Sequence, residues 1–252
     1  MPLQISQPSH QSLYVEMQAN GNTIGRGTGF VASSSSGNKF LLTNRHIVTG
    51  RNQDTAELLC KKTGAIPDAL AVWHNASSAL GEFVQVDMPL IDGDTPQWIE
   101  HPNLGGTADF VALPIADRAD IELYPYRAEH FAQMHVRPAE TVSVVGFPFG
   151  ERTGASFAIW ATGFVASEPE LNHGGRPVFL IDCRSREGQS GSPVIRYLEG
   201  GGLSSYAAGL EVFGPVCWLL GIYSGRINSE SDLGVVWKAY AIAELLEYAS
   251  AR

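Results

Sequence analysis

An all-β fold, a sandwich or a closed barrel with one helix at its end, is what this sequence predicts. Three observations carry that expectation. Short apolar runs bounded by turn residues recur along the chain. Gly 27 and Pro 14 in 252 residues supply many tight turns. Helical periodicity is convincing only near the C-terminus.

The elements follow in order. Leu13–Gln18 and Thr28–Ala32 read as two strands joined through the turn-prone Asn20-Gly21-Asn22, and Lys39–Thr43 resumes a strand after the polar loop Ser33–Asn38. Further strands are expected at Ala56–Lys61, Ala69–His74 and Glu82–Val86. The stretch Asp87–Gly106 holds Pro89, Pro96 and Pro102, poor strand material, and reads as a surface excursion. Phe110-Val111-Ala112-Leu113 is a buried strand by length and content. A second set follows at Thr141–Gly146, Ser156–Ala166, Pro177–Asp182, Ser192–Ile195, Ala207–Phe213, Trp218–Tyr223 and Leu233–Trp237. The helix is expected at Ala239–Ala249, with Ile242, Leu245, Leu246 and Ala249 inward and Glu244 and Glu247 toward water.

Composition narrows the function. With 44% hydrophobic and 17% charged residues the chain has the makeup of a globular protein, and its length suits one large domain or two small barrels. A net charge of −9 without a Lys/Arg cluster argues against a nucleic-acid partner. No run reaches the ~20 apolar residues of a membrane helix, and Met1–His10 lacks the basic and apolar parts of a secretory signal, so a soluble, cytoplasmic chain without a membrane partner is expected. Cys60, Cys183 and Cys217 are odd in number and lack metal-ligand spacing; buried or idle thiols are expected, with no metal and no cofactor.

Three stretches carry chemistry. In Arg186-Glu187-Gly188-Gln189-Ser190-Gly191-Ser192-Pro193 a serine sits between glycines on a turn feeding an apolar strand. A nucleophilic serine needs an exposed hydroxyl, a base, and backbone amides aimed at a developing oxyanion; flanking glycines permit the backbone angles that present the amides of Gly188 and Ser190. A plain Gly-Ser turn is the other reading. In Phe40-Leu41-Leu42-Thr43-Asn44-Arg45-His46-Ile47-Val48 a histidine follows a buried strand, able to accept a proton and return it near neutral pH; a strand-end histidine is the alternative. His10, His74, His101, His130, His135 and His173 lack this setting and read as surface residues. Asp109, before Phe110, is a carboxylate at a strand mouth, where an imidazole donor would satisfy it; a capped strand end is the alternative, and Asp87, Asp92, Asp94 and Asp117 are rivals.

These stretches, from about Thr28 to Gly225, resemble the trypsin-like peptidases, most closely their HtrA-like branch. The order His46, Asp109, Ser190 is that of the family, whereas other serine hydrolase plans order the three differently. Val144-Val145-Gly146-Phe147-Pro148-Phe149-Gly150 is similar to the family's Gly-x-Pro-Phe-Gly turn. Leu220-Gly221-Ile222-Tyr223-Ser224-Gly225 looks like the strand that pairs with substrate.

The resemblance implies two six-stranded antiparallel barrels, the first (1–125) carrying His46 and Asp109, the second (126–252) carrying Ser190, with a C-terminal helix. It implies a serine endopeptidase acting on protein or peptide through an acyl-enzyme, with Gly188 and Ser190 as oxyanion hole and Arg184, Tyr223, Ser224 and Gly225 near substrate. The tryptic pocket aspartate is replaced by Arg184, so preference for Lys or Arg is not expected. The residue before the serine is Gln189 rather than the aspartate of zymogen activation, so that switch is absent, and Ile47 replaces a disulfide cysteine. Little chain remains after Tyr223 for a PDZ module. An inactive relative that binds peptides, and an esterase of the same fold, are the alternatives.

Overall fold

The computed structural model of the chain describes residues 4–127, 136–199, 215–228 and 230–252. His130, His135 and the strand expected at Ala207–Phe213 lie outside the described residues.

A single helical turn, α1 (Gln7–Gln11), leads into β1 (Ser12–Ala19), which reverses through Asn20 and Gly21 into β2 (Asn22–Ser33). Both turn residues have positive φ, 49° and 74°, as a two-residue hairpin loop requires, which is why Asn-Gly stands there. β3 (Lys39–Thr43) pairs with β2 and is followed by a second one-turn helix, α2 (Arg45–Thr49). β4 (Ala69–Ala76) and β5 (Phe83–Pro89) form a further hairpin, and the short strands β6 (Ile91–Asp92), β7 (Thr95–Pro96), β8 (Ile99–Glu100), β9 (Val111–Pro114), β10 (Ile121–Glu122) and β11 (Tyr126–Arg127) complete the first half.

Nine of these strands form one sheet, in the order β10-β4-β1-β2-β3-β9-β8 with β5 also on β4 and β11 also on β2. This is the first barrel-like unit. Tyr126 pairs with Ala32, so the sheet reaches one short strand past the expected boundary at residue 125.

In the second half β12 (Thr141–Gly146), β13 (Ile159–Val165), β14 (Val178–Asp182), β15 (Pro193–Leu198), β16 (Val216–Arg226) and β17 (Leu233–Lys238) close into a six-stranded barrel, in the order β12-β13-β14-β17-β16-β15. The closing helix α3 (Ala239–Ser250) buries Ile242, Leu245, Leu246 and Ala249, the expected face.

Three apolar cores hold this together. Leu13, Val15, Leu41, Leu70, Val72 and Leu113 fill the first half, and Val142, Val144, Phe179, Ile181, Val194 and Val236 fill the closed barrel. Between the halves Phe30, Phe110, Phe147, Ile222 and Trp237 pack with the inner face of α3. Burying each large side chain of this kind contributes ~1.5–3 kcal/mol.

Several expectations need correction. Residues 56–61 form no strand; Asn52 Oδ1 accepts from the amides of Asp54 and Thr55, and the turn thus set leaves only an isolated bridge between Arg51 and Leu58. The Pro-rich stretch is not mere surface: β8 pairs with β9, Leu90 is wholly buried in the first core, and Ile99 and Leu104 pack against the shared one. His10, His74 and His101 are buried, contrary to the surface expectation. His101 Nδ1 accepts from the amides of Asn103 and Leu104, and its Nε2 lies 3.3 Å from Glu244 on α3, tying the excursion to the last helix.

All three cysteines are free thiols; burial pushes Cys183 up to about 11 and Cys217 up to about 12. Among the described residues no helix is long and apolar enough to cross a membrane.

Candidate active site

His46 stands in the first turn of α2, where helical amides have no partner within the helix. Its own amide donates to Asp109 Oδ1 at 3.0 Å, and its ring Nδ1 lies 2.7 Å from Asp109 Oδ2. One carboxylate therefore fixes both the backbone and the ring of His46. Asp109 reaches this position from the turn before β9. Asn44, the residue before α2, makes no side-chain cap; its Nδ2 instead donates to the carbonyl of Asp109 at 2.6 Å. The aspartate is only 2% exposed, and such burial is tolerated because donors surround it.

A third donor comes from the other half: Ser224 Oγ donates to Asp109 Oδ2. Ser224 lies where the register of β16 against β17 slips between Tyr223 and Gly225, a bulge that re-aims its side chain. With three donors converging, Asp109 acts as acceptor throughout, so the ring proton of His46 resides on Nδ1 and Nε2 is left as an acceptor.

Ser190 lies on the loop between β14 and β15. The loop is held from within and from the facing strand. Arg186 N donates to Gln189 Oε1 at 2.7 Å and Gln189 N to Arg186 O at 3.2 Å, with Gln189 fully buried. Gln189 thus braces the loop from within. On the facing strand, Thr28 N donates to Ser190 O at 2.8 Å and Thr28 Oγ1 to Gly188 O at 2.9 Å, so β2 of the first half carries the serine loop of the second.

Two glycines are required here. Gly188 has φ +92° and a Cβ would fall 2.3 Å from Phe147 O; Gly191 has φ +86° and a Cβ would fall 2.0 Å from Thr28 O. Phe149 N, in the Gly146–Gly150 turn, donates to Glu187 O at 2.6 Å. Since carbonyl and amide point oppositely in a trans peptide, the amide of Gly188 faces away from Phe149. The amides of Gly188 and Ser190 donate to no group among the described residues.

A cavity of about 230 Å³ opens where His46, Asp109, Ser190, Ser224 and Gly225 meet, with Arg176 and Arg226 on its wall. The hydroxyl of Ser190 donates to Ser224 O at 3.3 Å.

The structure thus brings together His46, Asp109, Ser190, Ser224 and Gly225. Arg184 is exposed and is not part of the cavity lining. Tyr223 is 2% exposed, its hydroxyl bonds Ser185 Oγ, and burial pushes it up to about 12. Its amide donates to Ser192 O and its carbonyl accepts from Gly191 N, so neither backbone group is open to a ligand. Sequence reasoning missed Thr28 and Asn44; the Gly27-Thr28-Gly29 triplet was a signal of close backbone approach, while Asn44 adjoins His46 and offered none beyond that.

Comparison with known proteins gives two positive findings. The family described as "Trypsin-like peptidase domain" matches residues 27–201. Solved structures of similar fold include the serine endoprotease from Yersinia pestis (TM-score 0.56, 14% identity, covering 98% of this chain and 67% of that one) and the thermostable serine protease AL20 from an extremophilic microorganism (TM-score 0.55, 12% identity, covering 98% and 99%). They also include the active form of the Rv3671c protease from M. tuberculosis (TM-score 0.50, 18% identity, covering 95% and 81%). At these identities the likeness is one of fold. A search of curated proteins finds none similar in sequence.

Proposed function

The chain belongs to the trypsin-like peptidase family, and from that premise we propose that it is a serine endopeptidase in which Ser190 is the nucleophile, His46 the base and Asp109 the residue that orients His46. The observation that carries this reading is that His46, with Nδ1 bound to Asp109, lines the same cavity as Ser190.

In this reading the hydroxyl of Ser190 turns from Ser224 O to His46 Nε2 when substrate arrives. As Oγ bonds to the scissile carbonyl carbon, Nε2 takes its proton, and the carbonyl oxygen becomes an oxyanion held by the amides of Gly188 and Ser190. The imidazolium is stabilised by Asp109 and gives the proton to the leaving amine. Water then repeats the sequence on the acyl-enzyme, releasing the acid and restoring Ser190. Peptide or protein is the substrate; Gly225 and Arg226, next to Ser224 on the cavity wall, are placed to meet its chain.

Ser190→Ala is expected to lower cleavage of a casein substrate by about 10⁶-fold, to the residue left by binding and oxyanion stabilisation. A fluorophosphonate probe is expected to label the wild type at Ser190 and not the variant. Unchanged cleavage in Ser190→Ala refutes the nucleophile; failure of the wild type to react with the probe favours a peptide-binding relative without turnover.

A further inference from the structure

The cavity at Ser190 has charged groups on its wall that the proposed chemistry does not use. Arg176 and Arg226 of the second half line it, and so does Asp54 of the first. The other carboxylate of the lining, Asp109, is buried, and its oxygens already accept from His46 and Ser224. Two arginines therefore stand against one accessible carboxylate here, in a chain whose net charge is −9.

Arg176 is held in place by its surroundings. It closes a tight turn in which Gly174 and Gly175 have φ +60° and +72° and Arg176 N donates to His173 O at 3.2 Å. Its guanidinium carbon lies 5.9 Å from the centre of the Trp237 ring, a buried core side chain that gives the cation a fixed aromatic floor. Its Nη1 donates to Asp54 Oδ1 at 3.5 Å, the long limit for such a bond, and the two side chains are 40% and 79% exposed. An ion pair this long and this wet contributes little to stability and is readily exchanged. What Asp54 marks is a position: a carboxylate at this wall is within reach of Arg176. Arg226, the last residue of β16, adds a second arginine to the same lining, two residues beyond Ser224, whose carbonyl accepts from Ser190. Guanidinium groups match carboxylates in geometry as well as in charge. Leu59 and Val235, also of the lining, offer apolar contact to the methylenes that carry such a carboxylate.

We propose that this wall makes the enzyme selective for acidic peptides: a glutamate or aspartate side chain of the substrate displaces Asp54 from Arg176 and is held there beside Arg226. This selectivity rests on the peptidase reading above, which brings the peptide into the cavity.

Decapeptides of Ala, Ser and Leu carrying a single Glu, or Gln in its place, moved one position at a time and titrated calorimetrically into Ser190→Ala, test it without need of turnover. Glu is expected to bind about tenfold tighter than Gln at one or two adjacent positions, and no tighter elsewhere. In Arg176→Gln that preference is expected to drop below about threefold, and in Asp54→Asn, where the competing carboxylate is gone, to rise about threefold. A gain of that kind cannot come from a misfolded variant. Selectivity is overturned if no peptide binds, if Glu never exceeds Gln or exceeds it equally at every position, if the preference survives Arg176→Gln, or if Asp54→Asn weakens it. Failure of the peptidase reading shows separately, as a wild type that the fluorophosphonate probe does not label.

Discussion

The two halves are built from the same kind of antiparallel strand, yet only one closes on itself. In the second half six strands return to their starting edge, and Val142, Val144, Phe179, Ile181, Val194 and Val236 fill the interior. In the first, the hydrogen-bonded path runs from β10 to β8 without a closing pair among the described residues, and its apolar core adjoins a buried histidine, His74, whose ring nitrogens have no hydrogen-bond partner among the described residues. Closure removes free edges and leaves each strand with two neighbours. The closed half carries the tightly turned loop of Ser190. The open half carries His46 and Asp109, whose geometry depends on bonds made one at a time: Asn44 to the Asp109 carbonyl, His46 to its carboxylate, and Ser224 from across the cavity.

If the first half contributes orientation, Asp109→Asn should break it most sharply. An amide there no longer accepts at both oxygens, the His46 tautomer is lost, and kcat is expected to fall by about 10⁴-fold with the melting temperature little changed. An activity loss under tenfold would move the orienting role elsewhere. If the second half contributes backbone geometry, Gly188→Ala should break that instead. The added Cβ meets Phe147 O at 2.3 Å in a backbone already at φ +92°, so the loop must shift. A fall of about 10²–10³-fold in kcat is expected, the scale of losing one oxyanion donor, against a change in KM of less than about threefold. Equal losses in kcat and affinity would show the loop collapsing rather than its amide turning away.

The smallest effect concerns the open half's interior. His74 titrates near 6.5 in the unfolded chain and at about 4 in the folded one, because the ring is buried and lies near Arg118. Between those values the unfolded state holds more protons, so stability falls as pH drops from about 6.5 toward 4. The contribution is about 2–3 kcal/mol between pH 7 and pH 4.5. Urea unfolding of wild type and His74→Leu at both pH values should show the variant losing that much less; parallel losses would mean that His10 and His101, also lowered by burial, carry the whole effect.

What was legible in the sequence follows the same division. Lys39–Thr43 and Thr141–Gly146 have the bounds read from their apolar runs, and the buried face of the last helix was read residue by residue, because these patterns are local. The meeting of His46, Asp109 and Ser190 around one cavity rested on their order and immediate settings. Leu90 was hidden among prolines, since nothing local says which residue of an irregular stretch plugs a barrel. His74 was taken for surface because it lacks the setting of His46, although the alternation that places Leu70 and Val72 inward also places His74 inward. Tyr223 and Ser224 were grouped as substrate contacts, yet successive strand residues face opposite ways: the first is buried against Ser185, and a bulge aims the second at Asp109. That last bond spans 115 residues, beyond any local pattern.

The hold of Thr28 on the loop of Ser190 bears on how the molecule is made. Ribosomes deliver the N-terminal half first, and domains tend to fold as they emerge. The strand with Thr28 is translated before Ser190, and Ser224 and the helix α3 are translated after it. On the proposed chemistry, a growing chain is harmless to its neighbours at least until Ser190 has been translated, long after the strand that will hold its loop.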